Sequence, residues 1–322
     1  MNFINNSNRS NIVKQTTLKN KIYFSGVGIH NGKAVSMSIE PGETNTGIIF
    51  ERTDVKGNNL IKAIIDNIDT TCLCTKIKNK SGISVSTIEH LMATFNGLEI
   101  DNVKVKINAP ELPALDGSSH DYTKKILSTG IKVQSYDRKY IRILKKIKVT
   151  DNNRYISIEP SKNLSLKIAI DYPNTIIGNS ELIYNHSQNN FVKDLSKART
   201  FTLIEDVEKM RVAGYAMGGN INNAIVVDKY NIINPNGLRV DKEFVKHKAL
   251  DCIGDFYLLG MPLIGLVKTL APGHKLNQMF IKKVLSNKNN YSVESLNRLD
   301  HPRQFINELS NNHHSKNIIN VA

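Results

Sequence analysis

The stretch Phe244–Leu259 reads as a single helix that has to be buried, yet it carries His247, Asp251 and Asp255 at i, i+4 and i+8. That spacing sets the three side chains on one stripe of the helix. Their neighbours are Ala249, Leu250, Cys252, Ile253, Phe256 and Tyr257, so the surround is apolar. Carboxylates in such a place cost several kcal/mol unless they are paired, hydrogen-bonded or bound to a cation. A simple His–Asp helix pair, worth a few tenths of a kcal/mol at a surface, accounts for His247 and Asp251 alone. The apolar surround and the second aspartate favour a metal site.

His247 and Asp251 supply an imidazole nitrogen and a carboxylate oxygen. A catalytic zinc takes three protein ligands and keeps one position open. The chain has no HExxH motif, so the third ligand has to come from elsewhere. The best source is His90, in Ser86–Ile107 (STIEHLMATFNGLEIDNVKVKI). This segment reads as a helix from Ser86 or Thr87 to Asn96-Gly97, then a strand at Val103–Ile107. Glu89, next to His90, has two readings. It is a general base close to the metal site, or it closes a capping box, S-x-x-E, with Ser86. His274 follows Pro272-Gly273 at a strand-to-helix turn. With Asp255 as orienting partner it would favour the imidazolium that a general acid or oxyanion stabiliser needs. His120, His186, His301, His313 and His314 lie in polar or loose stretches and receive no role.

The two halves echo each other. In each, a helix with a histidine near its start (His90, His247) runs through an apolar body to a glycine (Gly97, Gly260) and then an apolar strand. This suggests two related α+β domains, with the histidines at equivalent ends of facing helices. The first half offers a hairpin around Asn31-Gly32, strands at Gly47–Arg52 and Leu60–Ile65, a structured loop over Asn108–Gly117 and a short helix at His120–Leu127. A domain boundary is expected near residue 135, in the polar segment Ser128–Asp137. The second half offers strands at Tyr140–Val149, Tyr155–Pro160 and Leu164–Tyr172, and a loop over Asn174–Asn190. A helix at Ile204–Ala213, strands at Ala224–Val227 and Leu263–Leu270 and a helix at Lys275–Leu285 follow. The Asn- and His-rich tail from Ser286 reads as loose.

Composition excludes little but directs some choices. The 322 residues suit two ordinary domains or one large one. The net charge of +14 invites nucleic-acid binding, but the bases are dispersed. The one dense run, Arg138–Lys148, partly alternates with apolar residues, as a solvated strand face does. A basic cleft remains, suited to an acidic, phosphorylated substrate. The longest apolar run, Phe256–Val267, is 12 residues and broken by Gly260 and Pro262, too short for a bilayer. The opening residues lack the apolar core of a signal peptide. Cys72, Cys74 and Cys252 follow no disulfide or zinc-knuckle spacing and fit a reducing cytoplasm, with Cys72 and Cys74 as buried small residues. Gly26-Val-Gly-Ile-His30 is followed by no helix pattern, which argues against a dinucleotide loop.

Taken together, the chain resembles the zinc-dependent UDP-3-O-acyl-N-acetylglucosamine deacetylases of lipid A synthesis, over nearly all of residues 15–290. The resemblance is carried by Gly26-Val-Gly-Ile-His-Asn-Gly32, Ser86-Thr-Ile-Glu-His90, Gly97-Leu-Glu-Ile-Asp-Asn102, Asn108-Ala-Pro-Glu111 and Leu115-Asp-Gly-Ser118. Further on it is carried by Ala198-Arg-Thr-Phe201, Gly218-Gly219, His247-Lys-x-x-Asp251, Gly254-Asp255 and Gly273-His-x-Leu-Asn277. Pro272 stands where a serine is usual, and Met279 where a lysine is common.

The resemblance implies one zinc ion held by His90, His247 and Asp251, with Glu89 as general base and His274 beside Asp255 as the second catalytic pair. It implies that Thr200 and Lys248 help to hold the reacting carbonyl and substrate. Phe201, Ile29, His30, Gly219 and Ala224 are the further expected substrate contacts. The fold implied is two similar two-layer α+β sandwich domains facing each other, residues 1–135 and 136–290, with a tail at 291–322. A small βαβ insert at about 195–228 would form an apolar tunnel for the acyl chain. The reaction implied is removal of the N-acetyl group, as acetate, from UDP-3-O-(3-hydroxyacyl)-N-acetylglucosamine by a cytoplasmic monomer that binds no nucleic acid. The alternatives are a basic α+β nucleic-acid-binding protein, or a zinc amidase for another N-acetyl sugar.

Overall fold

The computed structural model describes residues 12–69 and 73–298. Cys72 and the tail from residue 299 onward lie outside the described residues, so the reading of Cys72 as a buried residue is not addressed. Cys74 is buried, as expected.

Two five-stranded sheets organise the chain. The first holds β1 (Ile22–Val27), β2 (Ala34–Pro41), β3 (Ile48–Arg52), β4 (Leu60–Lys62) and β5 (Val103–Ile107), in the order β1-β2-β5-β3-β4. β1 and β2 form the hairpin around Asn31-Gly32, where Gly32 takes a φ of +68°. β5 runs antiparallel to β2 and parallel to β3. It buries Val103, Val105 and Ile107 and turns Lys104 and Lys106 outward, the alternation of a half-buried strand. Between β4 and β5 lies α1 (Glu89–Gly97), and α2 (His120–Thr129) follows β5.

The second half continues with β6 (Ile147–Asp151), β7 (Arg154–Glu159), β8 (Ser165–Tyr172) and β9 (Gly178–Asn185). The insert follows as β10 (Phe201–Leu203), α3 (Ile204–Val212) and β11 (Ile225–Val227), with β10 and β11 parallel, so the expected strand–helix–strand unit is present. Then come α4 (Glu243–Phe256), β12 (Leu266–Leu270) and α5 (His274–Leu285). The second sheet is ordered β6-β7-β12-β8-β9, with β7 and β12 antiparallel and β12 and β8 parallel. Strand for strand this is the pairing of the first sheet, so the sequence echo is a structural repeat in which α1 matches α4 and α2 matches α5.

The matching helices pack on each other. Leu91, Met92 and Phe95 of α1 share one core with Leu250, Ile253 and Phe256 of α4. Gly254 allows this closeness. A Cβ there would run into the carbonyl oxygen of Glu89 and lie 3.0 Å from the Ala93 nitrogen. Asn96 Nδ2 donates to the Ile253 carbonyl at 3.0 Å and ties the far end of the contact.

Several expectations need correction. The polar segment expected to hold the boundary is a strand, Ile131–Asp137, paired antiparallel with Lys14–Leu18; it reads as polar because little of it is buried. Asn174–Asn190 is not all loop, since β9 occupies its centre as an edge strand. Tyr140–Val149 is two strands, Tyr140–Ile143 and β6. The former pairs with Leu263–Ile264 and with Tyr291–Glu294, so the first residues of the supposed loose tail belong to a sheet. Arg138, the head of the basic run, is buried, with its Nε donating to Asp101 Oδ1 at 2.8 Å. No helix among the described residues is long and apolar enough to cross a membrane.

Candidate metal centre and catalytic site

Three helices deliver the polar side chains, and each is entered through a non-glycine residue in the left-handed region. Thr87 (φ 58°) precedes α1, Lys242 (φ 54°) precedes α4 and Ala271 (φ 47°) precedes α5. Such conformations cost roughly 1–3 kcal/mol each and persist where the surroundings enforce them. At Thr87 the enforcing group is Glu111. Its Oε1 accepts the Thr87 hydroxyl at 3.0 Å, and its two oxygens accept the His30 and Asn31 N–H groups at 2.8 Å each.

The capping-box reading of Glu89 does not hold. Ser86 ends a strand, Ser84–Ser86, and its hydroxyl donates to the Pro110 carbonyl at 3.1 Å. α1 starts at Glu89 itself, with no side-chain cap. The Glu89 carboxylate turns inward, and its Oε2 accepts the backbone N–H of Thr75 at 3.0 Å.

His90, His247 and Asp251 converge, with one ligand atom from each lying within 4.8 Å of the others. Asp251 Oδ1 is 3.7 Å from His90 Nε2 and 3.4 Å from His247 Nε2, and the two rings meet edge to face at 4.9 Å. His247 Nδ1 lies 3.0 Å from the Ala198 carbonyl, a partner that can only accept. The ring proton therefore sits on Nδ1, and the Nε2 lone pair is left for a cation. Burial holds both imidazoles neutral, with His247 pushed down to about 3 and His90 lowered. Burial opposes the Asp251 charge, but His247 and Lys248 outweigh it and lower its pKa. Asp251 Oδ2 accepts from Lys248 Nζ at 3.0 Å, while Oδ1 is buried with no hydrogen-bond partner. A buried carboxylate oxygen between two imidazole nitrogens, all three lone pairs converging, fits one divalent cation of the zinc type.

Beside the trio lies a second cluster. Glu89 Oε1 faces His274 Nε2 at 3.8 Å. His274 Nδ1 is 2.8 Å from Asp255 Oδ2, which also accepts from Asn277 Nδ2 at 2.7 Å. Burial raises Glu89 to about 7, with His274 opposing and Asp251 and Asp255 reinforcing. Burial works against the His274 charge, yet Asp255 and Glu89 overcome it and raise the ring to about 9. A carboxyl poised near neutrality next to an imidazolium is an acid–base pair.

The expected substrate residues form two groups. Phe201 packs edge-on against Phe244 at 5.0 Å and His247 at 6.1 Å, and Lys248 Nζ lies over its ring at 5.3 Å. Thr200 joins the halves by backbone, its N–H donating to the Gly117 carbonyl at 2.8 Å. The neighbouring Arg199 is buried against Glu243 at the head of α4, with Nε to Oε1 at 2.8 Å. Ile29 and His30 accept from Gly218 and Met217 through their carbonyls, at 3.1 and 3.0 Å, while the Gly219 N–H donates to the Ala216 carbonyl at 3.2 Å. Ala224 is buried just before β11; its carbonyl accepts from Asn234 Nδ2 at 2.8 Å and its N–H donates to the Asn220 carbonyl at 3.1 Å.

Four contributors were not singled out from the sequence for these roles: Thr75, Asn277, Glu111 and the Ala198 carbonyl. Asn277, Glu111 and Ala198 stand inside motifs quoted above. Thr75 has no such signal, because its partners lie 14, 180 and 199 residues away.

Three donors suited to one cation, with a carboxyl and an imidazole of raised pKa alongside, make an arrangement that suits a metalloenzyme. Residues 15–286 match the family described as LpxC, UDP-3-O-acyl N-acetylglycosamine deacetylase, and the chain belongs to that family. A UDP-3-O-acyl-N-acetylglucosamine deacetylase from Shewanella loihica is 37% identical over 289 residues, 89% of this chain and 94% of the relative. One from Wigglesworthia glossinidia brevipalpis is 38% identical over 288 residues, 88% of this chain and 97% of the relative.

Proposed function

We propose that this chain removes the N-acetyl group, as acetate, from UDP-3-O-acyl-N-acetylglucosamine in lipid A biosynthesis, using one zinc ion. Family membership supports the reaction. The observation that carries the metal assignment is the unpartnered, buried Asp251 Oδ1 between the Nε2 atoms of His90 and His247. When bound by these three residues, zinc supplies Lewis acidity toward the acetyl carbonyl and toward the attacking water.

The chain's own residues do the rest. Glu89 takes the proton of the attacking water on its carboxylate, and the raised pKa makes it a competent base near neutral pH. His274, charged at that pH, gives the proton on Nε2 to the departing amine while Asp255 holds Nδ1. Lys248 and Thr200 hold the reacting carbonyl and the substrate. Phe201, Ile29, His30, Gly219 and Ala224 contact the substrate, with the insert receiving the acyl chain. Residues 1–135 supply the base and one ligand; residues 136–290 supply two ligands, the acid and the insert. The protein works as a monomer in the cytoplasm.

The test is direct. Purified protein should carry about one equivalent of zinc and release acetate from the acylated nucleotide sugar. Release of acetate from a simple N-acetyl sugar at an equal rate would overturn the substrate assignment. Full activity of metal-stripped protein would overturn the metal.

A further inference from the structure

Thr75 is fully buried and touches both members of the acid–base pair without belonging to either half of it. Its backbone N–H holds Glu89 Oε2 at 3.0 Å, which turns Oε1 toward His274. Its hydroxyl reaches Asp255 Oδ1, and the same oxygen lies 3.1 Å from His274 Nδ1. A threonine hydroxyl has one proton and two lone pairs, while an ionised aspartate can only accept. The proton of Thr75 is therefore committed to Asp255. Toward His274 the oxygen can offer only a lone pair, so the ring must present N–H at Nδ1. That N–H is shared by two acceptors, Asp255 Oδ2 and Thr75 Oγ1.

We propose that Thr75 is a positioning residue of the deacetylase: it locks a proton on His274 Nδ1, so that only the Nε2 proton can be given up. With Nδ1–H held from two sides, the ring delivers its proton from the edge that faces Glu89 and the metal trio, and it is returned to the same tautomer after each turnover. Asp255 alone does not secure this. A carboxylate with an unmatched second oxygen can rotate, and Thr75 is what occupies that second oxygen. The inference rests on the roles proposed above for Glu89 and His274.

The experiment compares Thr75→Val, which keeps shape and loses the hydroxyl, with Thr75→Ser, which keeps the hydroxyl, in zinc-loaded enzyme. Thr75→Val should lower kcat about 10- to 100-fold, the loss typical of removing an outer partner, with KM and zinc content unchanged. Thr75→Ser should recover kcat to within a few-fold of the parent. In 15N-histidine-labelled enzyme brought above pH 9, where the His274 ring becomes neutral, its signals should show protonated Nδ1 in the parent and Thr75→Ser proteins and a tautomer mixture in Thr75→Val. The idea is overturned if Thr75→Val keeps its kcat, if Thr75→Ser is as impaired as Thr75→Val, or if the Nδ1 signal is the same in both. Should Thr75→Val not fold, Thr75→Ala carries the same outcomes. His274→Ala and Glu89→Ala run alongside: if these retain activity, the assigned roles fail, and not merely the part given to Thr75.

Discussion

The two repeats share a strand order but not a use. α2 and α5 occupy the same place in their repeats, and both begin with a histidine, His120 and His274. His274 is buried against Asp255, Thr75 and the face of Glu89. His120 is only half-buried, and the hydrogen bond at that point is made by its backbone N–H to the Ser118 hydroxyl. The loops differ too. Residues 108–119 lie between β5 and α2, whereas 271–273 join β12 to α5. Topology therefore provided the position twice. What makes one imidazole chemical is its neighbours: carboxylates brought in by α1 and α4, and enough burial to make their fields count.

The largest expected effect tests the ligands. His247→Ala should abolish both stoichiometric zinc, measured by elemental analysis, and acetate release; retained zinc would mean the ligand set is wrong. Next, Glu89→Gln should lower kcat/KM by about 10³-fold while zinc stays bound, within the range for a lost general base. His274→Ala should lower kcat by about 10²-fold and His120→Ala by less than about twofold. Equal losses from the two would erase the distinction between the repeats.

The pH profile sharpens the same comparison. A base must be ionised and an acid protonated, so kcat/KM should rise as Glu89 loses its proton and fall as His274 loses its own, near 9. A bound cation favours the carboxylate, so the rising limb belongs at or below about 7. The falling limb should vanish in His274→Ala and persist in His120→Ala. The remaining comparison is read in stability and concerns Gly254→Ala. It should cost about 3 kcal/mol in a denaturant melt, by overpacking α1 against α4, while Gly273→Ala, with open space around it, costs less than about 1 kcal/mol.

What could be read in advance follows helix geometry. The His247, Asp251 and Asp255 stripe was legible because i, i+4 spacing is local and the surround was apolar. The repeat was legible as a pattern of helix, glycine and strand, but the identical strand order was not, since pairing joins residues far apart in the chain. β9 escaped because its two aliphatic residues, Leu182 and Ile183, are adjacent and the rest of this edge strand is Gly, Asn, Ser, Glu and Tyr, so apolar alternation is lacking. The start of α1 was set too early because Ser86 and Glu89 have the spacing of a capping box. Here Ser86 is spent on a strand and Thr87 breaks the backbone direction between them. Thr75 could not be found at all, because nothing in its own neighbourhood of sequence points to its partners.

Gly254 also removes one kind of motion from the enzyme. With no side chain between the backbones of α1 and α4, the repeats cannot scissor apart without losing this close contact, and packed interiors yield little. Glu89 and His90 on one helix and His247, Asp251 and Asp255 on the other thus stand on a single packed pair. At the rim, by contrast, Met217 and Gly218 meet His30 and Ile29 through backbone hydrogen bonds that lie apart from this helix contact.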